Sequence, residues 1–465
     1  MDKVVETPEL AVSDIDDGAT VAIAGFGLGH RFACSLILAL RNKGSRNLCI
    51  ICNSLGGPGQ VRGQILAENR QIGKLISAFS DRPGIKTASE EQITAGELIS
   101  ELVPQGILVE RCRAGGAGIP AFYSPVGVDT ALAAGKDIRY FEGRPHVLEH
   151  AIHVDYALLR AYRADRVGNV QFRGGSQNFN PSFAKAARVA IVEVDEIVDA
   201  GEIPPELIDL PGIFVSRVVR STHTVEMKDL VRSSSKRRPP DTARTYNGKP
   251  ALTRAGIAKR AARLVKDGTY VNLGTGIPTQ VSNFLQNRDV YLHAENGILG
   301  YGEMVSDEEA DPDIYNASGQ FVSLVPGASF FDSVSSFEMA RGGKINTVIL
   351  GAYEVDQSAN LANWSRDDGS KGGIGGAMDL VAGSAELIIV MEHCDSHNHP
   401  KLRRRCTFPV TAKGCVDYVV TDLALLHWED GKFVLQETAP GFTADEVISL
   451  AEMEIVCSPG VGVMQ

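Results

Sequence analysis

The sequence predicts an α/β protein made of two homologous open α/β domains with mainly parallel sheets. Three observations carry this. Four segments of the first half recur in the second in the same order. Short apolar runs rich in β-branched residues alternate with stretches of helical periodicity. Runs of that kind are buried on both faces, which calls for crossover helices on either side of a parallel sheet. A polar stretch with little to bury separates the halves.

The repeat comes first. Asp17-Gly18 followed by ATVAIAGFGLG (19–29) is echoed by Asp267-Gly268 followed by TYVNLGTGIP (269–278). NLCIICNSLGG (47–57) is echoed by DVYLHAENGILG (289–300), a strand that runs into small polar residues and glycines. AYRADRVGN (161–169) shares Ala-Tyr-x-x-Asp-x-x-x-Asn with AYEVDQSAN (352–360), and RVAIVEVDE (188–196) resembles ELIIVMEHC (386–394). Strands are expected at 21–24, 50–52, 189–194, 347–350 and 387–391, and helices at 32–40, 253–265 and 333–341. In the second of these helices Ile257, Ala261, Leu264 and Val265 share one face. The domains are expected at 1–228 and 250–465, joined by an exposed linker at 229–249. Its KRRPP run could be taken for a nucleic-acid patch, but it lacks interleaved aromatic residues and sits in an acidic chain.

Of the 465 residues, 22% are charged and 44% hydrophobic, as in soluble globular proteins. The net charge of -11 argues against nucleic acid or an anionic membrane as partner, because both attract a basic surface. Residues 1–17 carry acids and no apolar core, unlike a secretory or transit peptide. No apolar run approaches the ~18 residues of a membrane span. The eight cysteines lie mostly in apolar stretches, which fits reduced thiols and a cytoplasmic location. Cys49 and Cys52 form a CxxC inside an apolar run, where a strand is the better reading than a redox motif.

Ligands bind at the carboxyl ends of parallel strands, and three glycine-rich segments fall there. In HAENGILGYG (293–302) one carboxylate, Glu295, follows an apolar strand and precedes Gly297, Gly300 and Gly302. That placement suits a nucleophile or base flanked by free N–H groups, or a plain turn with an exposed acid. In KGGIGGAMDL (371–380), Lys371, Gly375 and Gly376 lead into a helix and could cradle an anion. In LVPQGILVERCRAGGAG (102–118), Gln105 sits in a Pro-Gln-Gly turn, where its amide could polarise a carbonyl. MEHCDSHNHP (391–400) has metal-ligand chemistry in His393, Asp395, His397 and His399. It follows a strand and ends at a proline, which disfavours a helix carrying His393 and His397 together. No metal is expected.

Taken together, VPQG (103–106), VERCRAGGAGIPAFY (109–123), NLGTGIP (272–278), AENGILGYG (294–302), PGASFFDSVSSFEMARGG (326–343), LANW (361–364) and GGAMDL (375–380) resemble the class I CoA-transferase family. The match is to its succinyl-CoA:3-ketoacid group, with both subunit types fused, and runs over residues 17–460. The resemblance implies domains packed face to face around the active site, a homodimer, and CoA as substrate with no separate cofactor. It implies Glu295 as the nucleophile that carries a glutamyl-CoA thioester, with Gln105 and Gly376 as oxyanion donors. Asn53, Arg31, Gly297, Gly300, Lys371 and Gly375 are the expected substrate or CoA contacts. A hydrolase or ring-opening CoA enzyme on the same fold, or a non-catalytic metabolite-binding protein, are the alternatives. The chain departs from the group at His30-Arg31-Phe32, where an Ile-Pro-Glu turn is usual, and at Cys52-Asn53-Ser54, where Ser-Asn-Asn is usual. Arg31 is the only fixed cation on those turns, so it is expected to bind the distal carboxylate or oxo group of the acid. Its alternative is a surface position at the start of a helix.

Overall fold

The computed structural model describes residues 2–27, 31–80, 86–223, 225–235, 241–366, 369 and 371–465. His30 and the KRRPP run lie outside them. The first half builds an eight-stranded sheet from β1 (Thr20–Ile23), β2 (Leu48–Ser54), β3 (Ile72–Phe79), β4 (Ile99–Leu102), β5 (Val154–Asp165), β6 (Ala187–Val198) and β7 (Arg217–Arg220), with a short strand at Val170–Gln171 beside β5. Its order is β7-β6-β5-β1-β2-β3-β4, and every pair along that path is parallel.

The second half builds a ten-stranded sheet from β8 (Thr269–Leu273), β9 (Val290–Ala294), β10 (Ile298–Met304), β11 (Val322–Phe330), β12 (Thr347–Leu350), β13 (Glu386–Val390), β14 (Tyr418–Val420), β15 (Ala424–Glu429), β16 (Lys432–Thr438) and β17 (Ile455–Val463). Its order is β11-β10-β9-β8-β12-β13-β14-β15-β16-β17. The parallel block β9-β8-β12-β13-β14 repeats β2-β1-β5-β6-β7 of the first sheet, so the predicted duplication is visible in strand order. The halves part company beyond β2 and β9. The first sheet adds parallel strands there, while the second turns back in an antiparallel meander, β9-β10-β11.

One repeated detail extends to individual hydrogen bonds. Asp165 Oδ1 accepts from the N–H groups of Val167 and Asn169, and Oδ2 from Asn169 Nδ2. Asp356 holds Ser358 and Asn360 in the same pattern. In each half the shared Asp-x-x-x-Asn is therefore an Asx-type turn after a strand.

The helices that matter for the site are α1 (Cys34–Lys43), α2 (Gln105–Gly116), α3 (Asn180–Ala186), α4 (Arg254–Ala262), α5 (Ser333–Arg341) and α6 (Ala377–Gly383). α1 starts two residues later than expected. Phe32 packs its ring against Gly25, so closely that a Cβ on Gly25 would lie 2.5 Å from it, and the helix begins after that contact. Gln105 does not lie in a turn but begins α2, after the N-cap Pro104. Most of the described linker residues are exposed, and two are buried. Leu230 packs with Tyr315 and Phe321, and Tyr246 is buried with its hydroxyl donating to Asp422.

A single buried cluster includes Ile107, Leu108 and Phe179 from the first half and Ile298, Phe337 and Met378 from the second. Backbone bridges Phe79–Gly373 and Asn178–Asp332 also cross between the halves. The carboxyl ends of β2, β3 and β4 are thereby held against the segments that carry the second half's motifs. Cys49 and Cys52 lie on β2 as expected, and none of the eight cysteines forms a disulfide.

Candidate active site

Glu295 occupies the turn between β9 and β10. Gly297 closes the turn by donating to Ala294 O at 3.0 Å, with φ at 108°. A Cβ there would lie 2.0 Å from Phe331 O, so this position requires glycine both for conformation and for close approach. Glu295 is 6% exposed, and its Oε2 has no hydrogen-bond partner. Burial, with the charge of Asp379 adding to it, pushes the carboxyl up to about 7. A carboxylate taken out of water without partners is costly to ionise and reactive once ionised.

His293, two residues earlier, is buried, which holds its pKa down at about 4. Its Nδ1 lies 3.0 Å from Asn272 Nδ2 and its Nε2 lies 3.0 Å from Ser336 Oγ. The amide can only donate, so Nδ1 accepts and Nε2–H donates to Ser336. The neutral ring ties β8, β9 and α5 together beneath the motif.

Gln105 comes from the other half. Its N–H is one of the first-turn donors that a helix leaves unpaired, and it donates to Gly375 O at 2.9 Å. Its Nε2 donates to Asn53 Oδ1 at 2.8 Å, and its Oε1 lies 3.1 Å from where a Cβ on Gly376 would stand. Gly375 and Gly376 belong to a loop that pairs with the end of β3: Ile374 N–H donates to Ala78 O at 2.9 Å and Ser80 N–H to Gly372 O at 3.0 Å. A Cβ on Gly373 or Gly375 would meet the Phe79 ring. The structure therefore brings Asn53, Gln105, Gly375 and Gly376 together.

Three residues that sequence reasoning missed tie α2 to α5 and α6, and the charge of one of them, Asp379, acts on Glu295. Asp379 Oδ2 accepts from the Gly106 N–H at 2.9 Å, and Oδ1 lies 3.3 Å from Arg341 Nη1. Arg341 Nη2 reaches Glu110 Oε2 at 3.1 Å. Burial raises the Asp379 carboxyl to about 6, against the opposing pull of Arg341 and the Gly106 N–H. Asp379 was visible as the acid of GGAMDL. Its partners lie on α2 and α5, remote in sequence, and nothing in their local pattern marks them.

Other expected contacts are placed differently. Arg31 is neither in an acid pocket nor on the surface. It is 5% exposed, with Nε and Nη2 on Asp313 at 2.5 and 2.7 Å and Nη1 on Asp195 at 2.7 Å. Its planar fork is filled by carboxylates of the protein, so it cannot also grip a substrate carboxylate. A small cavity at the end of β2 is lined by Ser54, Leu55, Gly56, Gln64, Phe79, Ser80, Thr87 and Ser89. Gly300 lies within β10, at a register shift, where a Cβ would stand 3.0 Å from the Ala328 Cα; strand packing accounts for it. Lys371 Nζ lies 3.6 Å from Glu90. In the histidine segment, Asp395 takes the N–H groups of His397 and His399, while the His393 Nδ1 faces Thr421 Oγ1. Among the described residues, no three His, Cys, Asp or Glu side chains are grouped to hold a metal, and no helix is long and apolar enough to cross a membrane.

A two-domain α/β frame with a buried strand-end glutamate between its halves is the arrangement of an acyl-transferring enzyme. The Coenzyme A transferase family model matches residues 5–221 and 254–450, and the chain belongs to that family. It is an enzyme of CoA transfer. It is 40% identical to the rat (Rattus norvegicus) succinyl-CoA:3-ketoacid coenzyme A transferase 2A, mitochondrial, over 98% of this chain and 90% of the relative. It is 48% identical to the probable coenzyme A transferase subunit beta of Bacillus subtilis, which covers 43% of this chain and 94% of the subunit. Identity is also 48% to one subunit of the succinyl-CoA:3-ketoacid coenzyme A transferase of Xanthomonas campestris, over 44% of this chain and 83% of that relative. Separate subunits that each span under half of the chain fit a fusion of both types. In fold it resembles the acyl-CoA transferase YdiF of Escherichia coli O157:H7 in its thioester complex with CoA, with a TM-score of 0.80 and 21% identity over 100% of this chain and 95% of that one.

Proposed function

We propose that the chain exchanges CoA between succinyl-CoA and a short 3-oxo acid, through a thioester on Glu295. The observation that carries this is the buried Glu295 carboxylate, without a partner on Oε2 and raised further by the charge of Asp379, the acid that accepts the Gly106 N–H next to Gln105. One Glu295 oxygen attacks the thioester carbonyl and the C–S bond breaks, giving a mixed anhydride and CoA thiolate. The thiolate attacks the glutamyl carbonyl, the anhydride C–O bond breaks, and the free acid leaves. A second carboxylate reverses both steps and so recovers the thioester energy. Gln105 Nε2–H and the Gly376 N–H supply donors to the tetrahedral oxyanions. CoA is a substrate, and these steps draw on no further cofactor.

The reading includes a homodimer, domains at 1–228 and 250–465, and a cytoplasmic location. Cysteines outside any disulfide support a reducing compartment, and the rat relative is named mitochondrial.

A panel of acyl-CoA donors against carboxylate acceptors tests the reading. Parallel double-reciprocal lines, turnover with succinyl-CoA and a 3-oxo acid, and loss of all but a trace of activity in Glu295→Ala are expected. Intersecting lines, or water as the only acceptor, would contradict it.

A further inference from the structure

We infer that Arg31 is a positioning residue for Glu295, acting through a strap that locks segment 311–316 of the second half onto the first. Arg31 follows the β1 turn of the first half. Its guanidinium grips Asp313 through two parallel hydrogen bonds, at 2.5 and 2.7 Å, and both side chains are buried. Its third contact is Asp195, which is also paired with Arg160. Arg173 adds a bond to Asp311 at 2.9 Å and lies 3.3 Å from Asp313, and the Gly175 N–H donates to Asp313 O at 2.9 Å.

Two residues on, Tyr315 completes the strap. Its hydroxyl donates to Phe26 O at 3.0 Å, and Gly27 approaches its ring so closely that a Cβ would lie 2.7 Å away. The carbonyl of the same Tyr315 accepts from Asn296 Nδ2 at 2.8 Å. Asn296 is the neighbour of Glu295 in the turn. The path from Arg31 to the reacting carboxylate is thus Asp313, Tyr315 and Asn296, one hydrogen-bonded or covalent link at a time. The bidentate fork fixes orientation as well as distance, which a lysine at this position would not do. Arg31 is thereby part of the clamp that sets the nucleophile.

The inference rests on Glu295 being the nucleophile. The test is the single-turnover rate at which acyl-CoA forms the Glu295–CoA adduct, normalised to active sites, in Arg31→Lys and Asp313→Asn. Each variant is expected to form the adduct up to ~100-fold more slowly per active site, as for about 1 Å of misplacement, with the acceptor KM close to wild type, while the melting temperature falls because a buried ion pair is weakened. The double variant is expected to be no slower than the worse single, because both act on one path. The exchange Arg31→Asp with Asp313→Arg is expected to recover part of the rate. If Arg31→Lys forms the adduct at the wild-type rate, the inference is overturned. A raised acceptor KM at an unchanged adduct rate also overturns it and returns Arg31 to the acid pocket. Fewer active sites at an unchanged rate per site overturns it in favour of a purely structural role. A wild-type chain that forms no adduct overturns both this inference and the Glu295 reading.

Discussion

Gln105 Nε2 donates to Asn53 Oδ1 at 2.8 Å, so the amide that serves the reaction is oriented by a residue of a different strand end. One Nε2 proton is spent on Asn53, and the other is left for the oxyanion. Replacing Gln105 by Ala removes the donor and is expected to slow both half-reactions by about 10²–10³-fold. Asn53→Ala only frees the amide to rotate and is expected to cost roughly tenfold, the smaller loss that a positioning contact carries. Adding Asn53→Ala to Gln105→Ala should then change nothing further. Additive losses in rapid-quench measurements would show that Asn53 acts on the substrate directly.

The approach of α2 to α6 depends on Gly106. A Cβ at this position would lie 2.2 Å from Asp379 Oδ1 and 2.7 Å from Arg341 Nη1. Gly106→Ala is therefore expected to separate Asp379 from the Gly106 N–H and from Arg341. Leaving a buried carboxyl short of its partners costs about 1–3 kcal/mol, visible as a lower denaturation midpoint. The helix propensity of alanine works in the opposite direction by up to about 1 kcal/mol, so a net gain in stability would mean that the helices can part without loss.

Burial of Glu295 makes a paired prediction about pH. Its folded pKa, at about 7, lies above the ordinary value of 4.5. The native state therefore favours the protonated form. That contribution to stability is fully present below about pH 4.5 and is lost as pH rises through about 7. Glu295→Gln removes the penalty and is expected to be more stable than wild type at about pH 8, by on the order of 1–3 kcal/mol, with the gap closing towards about pH 5. Adduct formation needs the carboxylate, so its rate should rise over the same interval. A stability gap that does not vary with pH would exclude burial of this carboxyl as its cause.

The parallel blocks of both sheets were legible because apolar runs such as those in 189–194 and 387–391 have no other place to go. The repeat was legible because Asp165 and Asp356 each need the asparagine four residues on to complete the same turn. Glu295, Gln105 and Gly376 were legible from motifs at strand ends and glycine loops. Arg31 was misread because a cation near a cleft looks the same in sequence whether it faces a substrate or an acid of its own chain. Asp313, 282 residues away, carries no local sign that it is the partner. Glu110 and Arg341, and with them the role of Asp379, were hidden for the same reason. The antiparallel turn-back at β10 and β11 was hidden because the glycines at 297, 300 and 302 read equally as a binding loop.

The most direct test of the whole account is the mass of the peptide that contains Glu295 after incubation with acyl-CoA. The account predicts a CoA adduct on Glu295 that borohydride reduces, with loss of activity, and that a carboxylate acceptor removes. Release of free acid with no adduct, or an adduct on any other residue, would contradict it.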